Sequence, residues 1–224
     1  MTLGRRLAAE GLGTALLLAM IIGSGIMGEQ LAQGNNAIAL LANTLATGAG
    51  LAVLILIFGP VSGGHFNPLV SIAEASRAGL QWHEVSFYVY VQIAGAFAGV
   101  AAAHMMFDKP LFFASQQARA GWPMMWSEVV ATFGLIFVVL ATTKTRPAAT
   151  PFAVGAYITA AYWFTASTSF ANPAVTLARA ASDTFTGIRP YDVLGFIAAQ
   201  AIGAIAALSL YRWLFAAPLR RDGA

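Results

Sequence analysis

Asn67 and Asn172 each stand directly before a proline, in GGHFNPLVSIAEA and TSFANPAVTLARA. Proline suits the first position of a helix, because its missing N–H would be unpaired there anyway. Each asparagine therefore falls at a helix cap, where its short amide can bond free backbone N–H groups. Both motifs lie between long apolar stretches, and each is followed by only about ten semi-apolar residues. A bilayer core takes roughly 20 helical residues, so each motif opens a half-length helix. Capping alone is one reading of an Asn-Pro pair. Two half-helices at matching places in a duplicated membrane protein instead mark a substrate path near the midplane.

The few other polar groups in apolar surroundings also come in matched copies. Glu10 in EGLGTALLL has a counterpart in Glu128 of EVVATFGLI, and Gln92 in VQIAGAFAG one in Gln200 of AQAIGAIAA. Ionisable residues in a span are expensive and face the interior. Proton coupling is one reading of the two glutamates, and scaffold symmetry, which the duplication favours, is the other. The glutamines read as hydrogen-bonding links between helices, beside Gly95, Gly99 and Gly203, which permit close packing. His65 has no second His, Cys or carboxylate at helical spacing, so it reads as a buried scaffold histidine rather than a metal ligand or proton carrier. No nucleophile, base or metal set is clustered in the spans, which argues against an enzyme and against any cofactor.

The elements that must position these residues are membrane spans. Of 224 residues, 58% are hydrophobic and 9% charged, and the mean hydropathy is +0.72. Soluble domains carry about 25% charged residues. The absence of Cys excludes disulfides and thiolate chemistry. The net charge of +3 reads as membrane orientation and headgroup contact rather than nucleic acid binding. Apolar runs between punctuating residues predict six spans over 8–30, 36–59, 83–107, 124–143, 150–168 and 191–215, with half-helices beginning at Pro68 and Pro173. The first run follows Arg5 and Arg6 but is too long for a signal peptide and lacks a cleavage site, so it reads as a span.

An even number of spans puts both termini on one side. The loops on that side hold Arg5, Arg6, Arg77, Lys144, Arg146, Arg212, Arg220 and Arg221, against Lys109, Arg119, Arg179 and Arg189 on the other. The excess predicts cytoplasmic termini. Each half reads as span, span, half-helix, span. Three spans per half is odd, so the second copy is inserted upside down and the two half-helices meet N-terminus to N-terminus. The expected organisation is a single transmembrane domain over 1–224, with inverted repeats at about 5–107 and 123–215. Non-helical backbone at that depth is tolerated only where it is buried or lines a wet cavity, and GGH and TSF are such stretches.

On these ordered features, from about Glu10 to Tyr211, the chain resembles the aquaporin, or major intrinsic protein, superfamily. The resemblance implies an all-α hourglass of six transmembrane helices plus two re-entrant half-helices. It also implies a homotetramer with a pore in each subunit, and passive flow of water or small uncharged solutes. By matching positions, Asn67 and Asn172 would point amide N–H groups into the lumen, and the two helix N-termini would add a positive field that opposes cations. Gly63, Gly64 and His65, with Thr168, Ser169 and Phe170, match the ladders of pore-lining carbonyls. Glu10 and Glu128 would brace the two loops.

The chain also departs from that pattern. Water-selective members narrow the outer mouth with an aromatic residue, a His and an Arg, the Arg directly after the second Asn-Pro-Ala. That position here is Val175. Arg179 stands one helical turn on, too far along the half-helix to be a simple substitute. Counting back by the family spacing puts the other constriction positions at Thr47, Ala160 and Ser169. The set Thr47, Ala160, Ser169 and Val175 has no large aromatic, no His and no cation, so a wide and weakly polar mouth is expected. Leu69 replaces the usual Ala of the first motif, either pushing the half-helices apart or filling space left by smaller neighbours. Bacterial members with Val in place of the filter Arg include channels associated with arsenic resistance. Metalloid hydroxides such as arsenite and small polyols therefore rank first as solutes, with water also passing. A water and glycerol facilitator without a metalloid role is the next reading. An ion-coupled secondary transporter and a poorly conducting junction protein are the readings from other classes. The resemblance places the protein in a bacterial inner membrane.

Overall fold

The computed structural model describes residues 1–215. Arg220 and Arg221, part of the charge asymmetry above, lie outside them. The regular elements are all helices, with no strand among the described residues. The long helices are α1 (Leu3–Leu31), α2 (Asn36–Ser62), α4 (Trp82–Met106), α5 (Trp122–Thr145), α6 (Thr150–Phe164) and α8 (Val193–Leu214), and the short ones are α3 (Pro68–Ala75) and α7 (Pro173–Arg179).

Five of these elements are long and apolar enough to cross a membrane: α1, α2, α4, α5 and the segment Pro190–Leu214 that contains α8. The sixth, α6, has only 15 residues, about 22 Å of helix. It was expected to continue to residue 168, but the chain leaves the helix after Phe164 and unwinds toward Asn172. A 3-10 turn over Pro147–Ala149 precedes α6 and lengthens its other end.

The packing repeats itself between halves. α1 lies against α4 and α2 as α5 lies against α8 and α6, while α4 touches α7 as α8 touches α3. α2 meets α6, and α3 meets α7, across the centre. Small residues permit these approaches. A methyl group on Gly95 of α4 would strike the Gly11 carbonyl of α1, and one on Gly203 of α8 would strike the Val129 carbonyl of α5. The outer surface carries Leu12, Leu45, Ile57, Ile202 and Ile205, and exposed Trp82, Trp122, Trp126 and Trp213 stand near helix ends, where aromatic rings suit a membrane interface.

The loops before α3 and α7 follow one backbone path. Gly63, Gly64 and Phe66 have positive φ, and so do Thr168, Ser169 and Ala171 at the same offsets from their asparagines. The first loop enters this path as the α2 cap, with Gly63 at φ 100° donating to the Gly59 carbonyl. A Cβ on Gly64 (φ +63°) would sit 3.3 Å from Gly59 and 3.4 Å from the Ile55 Cα. Gly64→Ala is expected to destabilise the protein by about 1–2 kcal/mol, the cost of a left-handed L-residue. A lowered Tm in detergent checks this, and an unchanged Tm would contradict it.

Candidate functional site: the cavity where the two motifs meet

Asn67 and Asn172 cap α3 and α7 with their side-chain oxygens. Asn67 Oδ1 accepts from Leu69 N at 2.9 Å; Asn172 Oδ1 accepts from Ala174 N at 3.0 Å and Val175 N at 3.3 Å. The amide nitrogens then cross between the halves. Asn67 Nδ2 donates to the Ala171 carbonyl, and Asn172 Nδ2 to the Phe66 carbonyl, each at 2.8 Å. An amide nitrogen carries two N–H groups, so one on each asparagine is left uncommitted. Both asparagines line the same cavity of about 380 Å³.

Each loop is anchored to a buried glutamate. Glu10 Oε1 accepts from Ser62 Oγ and His65 N, and Oε2 from Phe66 N and Gln92 Nε2, at 2.7–2.9 Å. Glu128 accepts from Phe170 N and Ala171 N at 2.9 Å and from Gln200 Nε2 at 2.6 Å. Both glutamates are fully buried, and neither lines the cavity. Gln92 also donates to Ser71 Oγ, and Gln200 to Thr176 Oγ1. Ser62 and Ser167 accept from Gly64 N and Ser169 N inside the two loops. These hydroxyls were missed in the sequence, although Ser71 and Thr176 both stand four residues after their asparagine, and Ser62 and Ser167 five before.

The cavity wall includes Gly63, Gly64, His65, Ser169 and Phe170. Thr168 is not among the residues that line it; Arg119 Nη1 instead reaches the Ser167 carbonyl at 3.1 Å and Thr168 Oγ1 at 3.5 Å. His65 Nδ1 pairs with Ser71 Oγ at 3.0 Å, and its ring lies 5.5 Å from that of Tyr88. Leu69 packs in a cluster with Ile136, Leu140, Ala204 and Ala207 on α5 and α8. It is not among the residues that line the cavity.

Of the four constriction candidates, Thr47, Ser169 and Val175 line the cavity, each no more than 3% exposed. Ala160 does not: it is exposed on the outside of α6. The face of α6 that meets the cavity carries Val154, Ile158 and Tyr162. Two residues from Ile158 is a rotation of about 200°, which turns Ala160 away. Counting back from Val175 assumed a loop length that the early end of α6 does not supply.

The wall is also less bland than that set implied. Phe170, Tyr162 and Arg179 all line the cavity, so aromatic rings and a cation are present. Arg179 is 1% exposed; its Nε donates to the Thr186 carbonyl, and its Cζ lies 3.4 Å from the Phe170 ring centroid. Thr47 Oγ1, Ser169 Oγ and Arg179 Nη1 are buried without a hydrogen-bond partner among the described residues. Arg119, in the loop between α4 and α5, contrasts with Arg179. It donates to the carbonyls of Gly187 at 2.7 Å and Ser167 at 3.1 Å, and burial pushes its pKa below the usual arginine range.

This geometry has counterparts among known proteins. A family profile described as "Major intrinsic protein" matches residues 1–168. The chain is 54% identical over 213 residues to an aquaglyceroporin, AqpS, of Rhizobium meliloti (strain 1021), covering 95% of this chain and 91% of that one. It is 31% identical to aquaporin NIP2-2 of Zea mays, covering 84% of this chain and 66% of the relative. Its fold is similar to the crystal structure of the aquaglyceroporin from Plasmodium falciparum, with a TM-score of 0.75 at 21% identity over 94% of this chain and 96% of that one. A helical multi-pass protein whose two Asn-Pro half-helices meet at one cavity, and which has these relatives, belongs to the major intrinsic protein family of membrane channels.

Proposed function

We propose that the chain forms a passive channel for small uncharged solutes, with glycerol-sized polyols and metalloid hydroxides such as arsenite first, and water alongside. The observation that carries this reading is the pair of asparagines on one cavity wall, each with an N–H left uncommitted. Two donors from opposite halves suit a solute bearing several hydroxyl oxygens, which must shed water to pass and needs replacement hydrogen bonds. Val175 leaves the wall beside Asn172 uncharged and aliphatic, which suits the carbon face of a polyol or the compact As(OH)3. The name of the AqpS relative, an aquaglyceroporin, agrees with the glycerol and water part of this reading.

Ion-coupled transport is the weaker reading. Glu10 accepts four hydrogen bonds and Glu128 three. Carboxylates so occupied brace loops; they do not exchange protons with a lumen they do not line. The domain reading is one channel unit built of two inverted repeats, about 5–107 and 123–215. The assembly reading is a homotetramer with cytoplasmic termini in a bacterial inner membrane.

Stopped-flow measurements on proteoliposomes test the function. Glycerol, arsenite and water should equilibrate faster than through protein-free vesicles, and an imposed proton gradient should drive no accumulation. Solute rates equal to those of empty vesicles, or uphill accumulation, would overturn the reading.

A further inference from the structure

We propose that Arg179 supplies the fixed cation of the cavity's outer constriction and sets its selectivity, from a position one helical turn beyond Val175. Arg179 ends α7, yet its side chain is 1% exposed and lines the same cavity as Val175 and Ser169. Only one of its five N–H donors is matched, by the Thr186 carbonyl, and Nη1 is buried with no partner among the described residues. No carboxylate forms an ion pair with it among the described residues. A buried charge without a counter-ion is costly, and solute or water oxygens in the cavity that Arg179 lines would complete the set of acceptors around it. The guanidinium is also held in place. Its face lies 3.4 Å from the Phe170 centroid, and Phe170 is itself wedged edge-on against Phe196 at 5.1 Å. A chain of hydroxyls through Ser182, Thr184 and Thr186 stands behind it, tied to buried His104.

Arg119 shows what a structural arginine looks like in this fold. Its donors go to the Gly187 and Ser167 carbonyls and the Thr168 hydroxyl, and it does not line the cavity. Arg179 has the opposite pattern, with one donor spent on the fold and the rest left over. Removing the guanidinium should take a positive charge from a partly dry passage, where it repels cations far more than it would in water. It should also remove donors that receive a hydroxyl as it sheds water.

This inference deepens the channel reading and rests on it, but it is tested through potassium and water, not through the solute. The variants are Arg179→Met, which keeps volume and removes charge, Arg179→Lys, which keeps charge and removes the fork, and Arg119→Met. Potassium leak and water permeability are measured in proteoliposomes and normalised to folded protein. Arg179→Met should raise the potassium leak by about tenfold or more, as expected for losing a unit charge in a poorly solvated site, with water flow retained. Arg179→Lys should keep potassium out but slow water by about fivefold, the factor for one hydrogen bond. Arg119→Met should lower thermal stability without a leak. A potassium leak in Arg179→Met equal to wild type would overturn the proposal. So would failure of both Arg179 variants to fold, since the guanidinium would then be a fold element like Arg119. If wild type passes no glycerol or arsenite while Arg179→Met leaks potassium, the solute reading fails and the Arg179 assignment stands.

Discussion

Glu128→Leu is expected to abolish folded channel, with little protein surviving extraction and a Tm far below that of wild type. Glu128 is fully buried and takes hydrogen bonds from Phe170 N, Ala171 N and Gln200 Nε2. Leucine fills similar space and accepts none of them. Each donor left buried and unpaired costs about 1–3 kcal/mol, so the three together cost several kcal/mol, a large fraction of a typical domain's stability. The loop concerned resists its path already, with Thr168, Ser169 and Ala171 at positive φ and no glycine among them. Without the carboxylate the bonds made with Asn67, Arg119 and Ser167 are left to oppose that strain, and the loop should shift from the centre. Glu128→Gln should fall between, because its oxygen keeps one or two bonds while its NH2 faces a backbone N–H. Glu29→Gln, at an exposed acid on α1, serves as the control. A Glu128→Leu protein that melts with wild type would refute the bracing role.

The residues legible in the sequence share one property: a polar type, rare in apolar surroundings, repeated at the same offset in both halves. Asn67 and Asn172, Glu10 and Glu128, and Gln92 and Gln200 have it, and the structure brings each pair to equivalent places around the two loops. Ser71 with Thr176 and Ser62 with Ser167 have it as well and were passed over, because Ser and Thr are common enough in spans to hide the offset. Ala160 failed for a different reason. Its assignment depended on a loop length, and an α-helix turns 100° per residue, so a small error in where α6 stops reverses the face. Sequence distance along α7 understates the reach of Arg179. A long side chain spans more than one turn, and its burial depends on Thr186 and Phe170, which no periodicity in α7 reveals. Phe170 stands in the ladder for its carbonyl, and its ring is a second contribution that a backbone reading does not anticipate.

Val175→Arg is expected to slow glycerol and arsenite by about tenfold or more, equivalent to roughly 1.4 kcal/mol added to the barrier, and to slow water much less. Val175 is 3% exposed, lies in the first turn of α7, and shares the cavity wall with Ser169 and Asn172. An arginine there extends a long cation into a cavity of about 380 Å³ whose wall already carries Arg179, with Nη1 lacking a partner among the described residues. Two like charges in a poorly solvated space repel, so the new side chain is driven across the lumen instead of stacking beside the old one. Width is lost where a polyol or As(OH)3 must pass, whereas a single file of water needs less width and finds new donors on the guanidinium. The competing account is that Val175 serves only to pack α7. In that case the bulky substitution damages folding, and all permeabilities drop together. Stopped-flow rates for water, glycerol and arsenite, each divided by the amount of folded channel, separate the two. A fall in the glycerol-to-water and arsenite-to-water ratios supports the constriction; ratios that stay at their wild-type values remove Val175 from it.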